Sequence, residues 1–186
     1  MKQFSLALSG LGGQGVMTIS QVLAAAAARE KVQVLLFEGT GISQRGGGVF
    51  GFVRLGDFSS PKIPLKGADA LISLELSEIT SIIQYLKPNG QVWCNSGRIQ
   101  AYYSKLNTQL YPTQEKIMEV IKLKTDQVRM IPAHQLAQDV GSPQAVNMTM
   151  LGAFLSQNSL LNINSITWAI EETNKKFAQE NLKAFW

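Results

Sequence analysis

In the first forty residues, two apolar runs lie on either side of a segment whose apolar residues recur at helical spacing. Residues 4–9 form a short apolar run that a glycine ends, and residues 32–37 form a second run with no regular polar alternation. Such runs are typical of strands buried on both faces. Five residues between them recur at helical spacing: Val16, Ile19, Leu23, Ala26 and Ala27. The pattern predicts a helix over residues 15–29, inside a strand–helix–strand unit that crosses over right-handed into a parallel sheet.

The same alternation of strands and helices continues to the end of the chain. Strands are predicted over residues 49–55, 69–75, 91–95 and 127–131, and helices over residues 76–86, 114–124, 133–139, 145–157 and 165–181. The lysine, proline, asparagine and glycine at 87–90 predict a turn. We therefore expect an α/β fold: a single domain over residues 1–186, with a Rossmann-like, mostly parallel sheet flanked by helices and the C-terminal helices packed on it.

A glycine loop joins the first predicted strand to the first predicted helix. Gly10, Gly12 and Gly15 satisfy the pattern G-x-G-x-x-G in the strand-to-helix context that it requires. In dinucleotide-binding proteins these glycines allow a tight turn, close approach of the backbone to a ligand, and close packing of the helix. The N–H groups at the start of the helix favour an anion. The candidate cofactor-binding residues are therefore Gly10, Gly12, Gly13, Gln14 and Gly15, together with Glu38.

Glu38 is a candidate cofactor-binding residue because NAD-binding proteins place an acidic residue about 20 positions after the loop, where it binds a ribose hydroxyl. A NAD-binding oxidoreductase is thus one interpretation, and a tight turn that binds no ligand is another. Two features disfavour NAD: the polar Gln14 beside the extra Gly13, and a second glycine-rich loop directly after Glu38.

That second loop, residues 39–48, contains a set of candidate substrate or interface residues: Ser43, Gln44, Arg45, Gly46 and Gly47. Arg45 suits a carboxylate or a phosphate, because a guanidinium donates two parallel hydrogen bonds to such groups. The alternative is a structural ion pair between Arg45 and Glu38 or Glu75.

Composition narrows the classes of function. Charged residues make up 16% of the 186 residues, below the usual share of about 25%, which hints at a surface covered by a partner. The net charge is +4 without a basic run, so a nucleic-acid partner is not expected. The single cysteine, Cys94, excludes an intrachain disulfide and fits a reducing cytoplasm. No stretch approaches the roughly 20 apolar residues of a membrane span. We expect a soluble cytoplasmic protein with no membrane partner.

Residues suited to catalysis are scarce. His134 is the single histidine, and we expect an ordinary surface residue or one with satisfied hydrogen bonds. Cys94 lies within an apolar run and is expected in the core. No catalytic residue and no metal ligand is therefore assigned.

Two motifs together carry a family resemblance. Gly-Leu-Gly-Gly-Gln-Gly-Val at 10–16, followed by Ser-Gln-Arg-Gly-Gly at 43–47, resembles the gamma subunit or domain of the 2-oxoacid:ferredoxin oxidoreductases of the pyruvate, ketoisovalerate and indolepyruvate types. The match continues at residues 145–148 and at Asn181, and covers nearly the whole chain. The Ser-Pro-x-Ile-Pro element at 60–64 and the Tyr-Pro element at 111–112 are most similar to the beta subunit of indolepyruvate:ferredoxin oxidoreductase.

The resemblance implies a function for an assembly. The complete enzymes of this family oxidatively decarboxylate a 2-oxoacid to an acyl-CoA with thiamine diphosphate, iron–sulfur clusters, ferredoxin and coenzyme A. This chain has no thiamine signature, and Cys94 alone cannot ligate a cluster that needs about four thiolates. A larger partner subunit would carry the thiamine diphosphate and the clusters, and would be the contact for ferredoxin. This chain, inactive alone, would complete the active site or a shared coenzyme A channel.

Overall fold

The computed structural model describes residues 3–40, 47–97 and 112–186, and these residues contain a six-stranded mixed sheet. The strands are β1 Phe4–Leu11, β2 Val34–Thr40, β3 Gly48–Leu55, β4 Ala68–Ser73, β5 Leu86–Asn95 and β6 Val128–Ile131. Their order across the sheet is β2-β3-β1-β4-β5-β6. β1, β4, β5 and β6 run parallel to one another, whereas β3 is antiparallel to both of its neighbours. The predicted α/β class with a mostly parallel sheet is confirmed.

The position of β3 corrects one expectation. β1 and β2 point the same way but do not pair, because β3 lies between them and pairs with each. Phe52 and Val53 of β3 are 2% and 0% exposed, as suits a strand inside the sheet. An antiparallel return directly after β2 needs no long crossover connection, so β3 takes the place that a parallel strand was expected to fill.

The described residues also contain seven α-helices and three short 3₁₀ turns. The helices are α1 Val16–Arg29, α2 Ile79–Ile82, α3 Gln114–Lys122, α4 Ala133–Asp139, α5 Val146–Leu155, α6 Ile163–Thr173 and α7 Ala178–Phe185. The 3₁₀ turns are Leu76–Glu78, Ile83–Tyr85 and Lys175–Phe177.

Three predicted elements differ from the structure. The helix predicted over 165–181 is divided, because Asn174 has φ −145° and ψ 73°, outside the helical region. The helix predicted over 76–86 is one short α-helix between two 3₁₀ turns. The turn predicted over 87–90 lies within β5, where Asn89 has a left-handed φ of 60°. β5 pairs with β4 at Leu86 and again from Gln91, so residues 87–90 form an irregularity between these two pairings, as the local polar and proline signals indicated.

Successive strand residues alternate between two buried layers. Leu6 and Leu8 of β1 pack in the layer that contains residues of α1, α5, α6 and α7, and Ala7 packs in the layer that contains residues of α2 and α3. Trp93 and Phe154 meet edge to face in the first layer, with ring centroids 5.8 Å apart. A Cβ on Gly152 would lie 2.1 Å from the carbonyl oxygen of Phe185, so α7 sits directly against the backbone of α5. Within the described ranges, the helices include none with the length and apolar character to span a membrane.

Candidate functional site

The glycine loop connects β1 to α1 through two left-handed glycines. Gly13 has φ 94° and Gly15 has φ 82°, values that side-chain-bearing residues rarely adopt. Gln14 N donates to the carbonyl oxygen of Leu11 at 3.1 Å and closes the turn. Gly15 is the N-cap of α1 and supplies no side-chain cap. The first N–H groups of α1 are therefore open to an outside acceptor.

The side chain of Gln14 fills the inside of this loop. Its Oε1 accepts a hydrogen bond of 2.6 Å from Leu11 N, and its Nε2 donates to the carbonyl oxygen of Leu74 at 3.4 Å. A Cβ on Gly10 would lie 2.8 Å from Gln14 Oε1, so the glycine at position 10 makes room for the amide. Gln14 thus links the end of β1 to the residue after β4, and it occupies a backbone donor that a bound anion would otherwise use.

The two glycine-rich segments meet at the carboxyl end of β1. Gly12 N donates to the carbonyl oxygen of Gly47 at 3.0 Å, and Gly47 is buried. Ser43, Gln44, Arg45 and Gly46 lie outside the described residues, so their assignment to a substrate or interface loop stays a prediction. The hydrogen bond between Gly12 and Gly47 shows that the end of the second segment lies beside the glycine loop.

Glu38 does not lie beside the glycine loop. It is an exposed residue of β2 and pairs with Gly51 of β3, which pairs in turn with Leu8 of β1. Neighbouring strands are about 4.8 Å apart, so β3 separates the backbone of Glu38 from that of β1 by about 10 Å. The NAD interpretation needs the acidic strand next to β1, and the strand order disfavours it.

Asn95 organises the carboxyl ends of β4 and β5. Its Nδ2 donates to the carbonyl oxygen of Leu74 at 3.0 Å and lies 2.8 Å from His134 Nδ1, and its Oδ1 accepts from Gly97 N at 3.0 Å. An amide nitrogen only donates, so His134 Nδ1 accepts, and this network assigns the ring proton to Nε2. His134 has a satisfied hydrogen bond, as expected. The sequence analysis did not identify Asn95, because no pattern marks a lone asparagine at a strand end.

Two carboxylates lie near the same edge. Glu75 is fully buried, and its Oε2 accepts a hydrogen bond of 2.8 Å from Ser77 N. Glu78 lies against the start of β3, where a Cβ on Gly48 would be 2.3 Å from its Oε2. Burial raises the pKa of Glu78 above its ordinary value, and the neighbouring Glu75 carboxylate raises this pKa further. The edge near β4 is therefore poorly suited to a bare anion.

Two depressions lie on either side of Gly13 and Gly15. The smaller, called the recess here, has a volume of about 320 Å³ and opens at the first turn of α1, with Gly12, Met17 and Val49 in its wall. The larger, called the groove, has a volume of about 590 Å³. It runs from the glycine loop past the start of α5 to the start of α7, and Gly141 forms part of its wall.

Two asparagines form part of the groove. Asn147 is 7% exposed, its Nδ2 donates to the carbonyl oxygen of Gly15 at 3.3 Å, and its Oδ1 accepts from Met148 N. Asn181 is 8% exposed, and its side-chain amide makes no hydrogen bond with the residues that the structure describes. Both asparagines belong to motifs of the family resemblance, so the signal was present although neither was chosen as a site residue.

The chain itself does not fit an iron–sulfur cluster. Cys94 is fully buried in β5, as predicted, and burial raises the pKa of its thiol to about 12, with Glu75 adding to the shift. A neutral buried thiol is not a metal ligand. Among the residues that the structure describes, no group of three or more His, Cys, Asp or Glu side chains could hold a metal ion.

Fold and site together define a Rossmann-like α/β domain with a glycine loop between its first strand and first helix, and with one antiparallel strand inside the sheet. Residues 5–186 match the family described as pyruvate ferredoxin/flavodoxin oxidoreductase, and the chain belongs to that family.

Curated relatives support the family along the whole chain. The indolepyruvate oxidoreductase subunit IorB of Archaeoglobus fulgidus is 34% identical over 98% of this chain and 92% of its own length. The IorB subunit of Thermococcus kodakarensis is 33% identical over 84% of this chain and 78% of its own length. The common gamma subunit of the pyruvate/ketoisovalerate oxidoreductases of Thermococcus litoralis is 27% identical over 94% of this chain and 89% of its own.

Solved structures share the fold. Pyruvate oxidoreductase subunit PORC of Thermotoga maritima has a TM-score of 0.72 at 21% identity, with 100% of this chain and 94% of that chain covered. The 2-oxoglutarate:ferredoxin oxidoreductase of Magnetococcus marinus, solved with 2-oxoglutarate, coenzyme A and succinyl-CoA bound, has the same TM-score and identity. There this chain covers 30% of a longer chain.

Proposed function

We propose that this chain, a subunit of a 2-oxoacid:ferredoxin oxidoreductase, works in an enzyme that acts on indolepyruvate or a related arylpyruvate and forms the acyl-CoA. The observation that carries the proposal is the 34% identity to an indolepyruvate oxidoreductase subunit over 98% of the chain. The pyruvate/ketoisovalerate gamma subunit of Thermococcus litoralis is 27% identical over 94% of the chain. The order of these identities supports the indolepyruvate type.

The redox cofactors belong, in this proposal, to a larger partner subunit in the cytoplasm. Thiamine diphosphate there would supply the carbanion chemistry of decarboxylation, and the clusters would pass the electrons to ferredoxin. The buried thiol of Cys94 supports this division of labour, because the chain offers no accessible thiolate for a cluster. The chain alone is then inactive, and its part is to complete the active site of the assembly.

Coenzyme A is the proposed shared ligand, with one of its phosphates in the recess. The open N–H groups of the first turn of α1 would hold that phosphate, with the helix dipole adding favourable charge. Leu11 N and Gly12 N already bond to Gln14 and Gly47, so they contribute nothing to the anion. Of the described glycine loop, the part after position 12 remains to bind it, together with the first turn of α1.

Co-expression tests the assignment. The chain is purified alone, with its larger subunit, and from its native host, and reduction of a viologen dye is followed with indolepyruvate, phenylpyruvate, pyruvate or 2-oxoglutarate plus coenzyme A. We expect activity only in the complex, fastest with an arylpyruvate. A chain that purifies without any thiamine-dependent partner contradicts the assembly, and faster turnover of pyruvate contradicts the substrate.

Titration calorimetry on the isolated chain separates the ligand hypotheses. We expect no NAD binding, because β3 separates Glu38 from the glycine loop. Binding of NAD at micromolar concentration would favour a stand-alone oxidoreductase. Binding of neither NAD nor coenzyme A, by the chain or by the complex, would favour a purely structural subunit.

A further inference from the structure

We propose that the groove binds an extended, uncharged stretch of main chain from the larger partner subunit. The inference rests on the proposed function for the existence of that subunit. The groove shares Gly13, Gly15 and Thr18 with the recess, but it extends away from the recess past the start of α5 to the start of α7.

The lining of the groove matches the chemistry of a polypeptide backbone. Side-chain amides and one hydroxyl provide most of its polar atoms: Gln144, Asn147, Asn174, Asn181 and Thr18. A side-chain amide donates through its nitrogen and accepts through its oxygen, as a peptide group does. An extended chain presents N–H and C=O groups along its length, so it can bond to a row of amides.

Asn181 is the strongest single indication of an occupant. Its side chain is more than nine-tenths buried, it lines the groove, and its amide has no hydrogen-bond partner among the described residues. Among the described residues the fully buried side-chain atoms without a partner are Ser20 Oγ and Ser142 Oγ, so the Asn181 amide still reaches the solvent in the groove and is available to bond to an occupant. The close contact of Gly152 with Phe185 holds α7 in place, which keeps the Asn181 side chain in this position.

The charge of the groove selects a neutral occupant. Its described lining contains no lysine or arginine, and the single charged side chain there is that of Glu180. A diphosphate or another polyanion would meet that carboxylate without a compensating cation. A peptide segment carries no such charge. Phe177, 47% exposed, offers an apolar contact at the same end of the groove.

Association of the two purified subunits tests the proposal. The dissociation constant is measured by interferometry for the wild-type chain, for Asn181→Leu, which keeps the size and removes the amide, and for Thr18→Val, which removes only a hydroxyl. We expect Asn181→Leu to weaken association about tenfold or more, equivalent to about 1.4 kcal/mol. We expect a smaller loss for Thr18→Val.

The matched control is Gln179→Met, an exposed position on the same helix, which should associate like the wild type. Circular dichroism and the melting temperature confirm that each variant is folded, and Thr18→Val keeps the test open should Asn181→Leu not fold. Unchanged association of Asn181→Leu and Thr18→Val overturns the inference and leaves the subunit assignment intact. Failure of the wild-type chain to associate contradicts the proposed function itself. Coenzyme A binding by the isolated chain that Asn181→Leu abolishes would assign the groove to the small molecule and also overturn the inference.

Discussion

The backbone N–H of Gly12 donates a hydrogen bond of 3.0 Å to the carbonyl oxygen of Gly47. Since Gly12 lies after β1 and Gly47 directly precedes β3, this bond extends the antiparallel pairing of the two strands, which begins at Leu11 and Gly48. The glycine loop is therefore braced by the neighbouring strand connection, and Gln14 braces it from inside. A loop held in this way is already shaped before any ligand binds.

Gln14→Met should destabilise the protein while leaving the size of the side chain nearly unchanged. The substitution removes the acceptor of Leu11 N, a residue only 6% exposed, and an unsatisfied buried N–H costs about 1–3 kcal/mol. Urea unfolding measures the difference. Gln21→Met, at an exposed position of α1, is the control and should change the stability by less than about 0.5 kcal/mol. Equal effects of the two substitutions would contradict a structural role for Gln14.

Gly15→Ala should cost more stability than Gly13→Ala. Both glycines have a left-handed φ, which costs an alanine about 1–2 kcal/mol. At Gly13 a Cβ would meet nothing within 4 Å, whereas at Gly15 it would lie 2.3 Å from Asn147 Nδ2. The difference between the two variants in thermal unfolding measures the steric cost at Gly15. Adding Asn147→Ala to Gly15→Ala should recover some of the lost stability. Equal losses at the two positions would show that the Asn147 side chain moves aside freely.

The thiol of Cys94 should make stability fall at alkaline pH. Burial raises its pKa from 9.0 to about 12 in the folded protein, so the unfolded chain loses the proton first as the pH rises. The contribution of the protonated Cys94 thiol to the free energy of unfolding is fully present below pH 9, and it is lost as the pH rises from there to about 12. Relative to Cys94→Ala, the wild type should lose about 1–2 kcal/mol between about pH 8 and about pH 10.5 in urea titrations. A difference that stays constant with pH would contradict the buried neutral thiol.

The same burial predicts that the folded protein resists thiol reagents. Ellman's reagent at about pH 8 should label Cys94 only after unfolding, because only the accessible thiolate is the nucleophile. Labelling that is as fast in native protein as in urea would show that β5 opens.

Arg45→Ala should leave the fold intact and lower the activity of the assembled complex. Arg45 is the one cation of the Ser-Gln-Arg-Gly-Gly motif and suits a carboxylate or phosphate of a ligand. Turnover of the complex with an arylpyruvate is the measurement, and the melting temperature of the isolated chain is the control. Unchanged turnover with a lower melting temperature would assign Arg45 to an ion pair within the chain.

Local signals along the chain were sufficient for most elements and for the glycine loop. The apolar runs predicted the six strands that the structure describes to within three residues, except that β5 begins five residues before its predicted start, and the spacing from Val16 to Ala27 predicted α1. The helix break at Asn174 was missed, because the flanking residues keep a helical pattern and the backbone departs from it at one residue. Asn95 was missed for a related reason, since its partners Leu74 and His134 lie far from it in the chain and become its neighbours only where the strands end.

By itself the sequence determined the α/β class, the loop that begins α1, the buried thiol of Cys94 and the family, because each depends on local pattern or on motifs that stay in the chain order. Only the tertiary structure decided that β3 lies between β1 and β2, which moves Glu38 away from the glycine loop. It alone also decided that Gln14 fills that loop and that Asn147 and Asn181 share a groove with it. Strand order and side-chain neighbours arise from contacts between residues far apart in the chain, and no local periodicity encodes them.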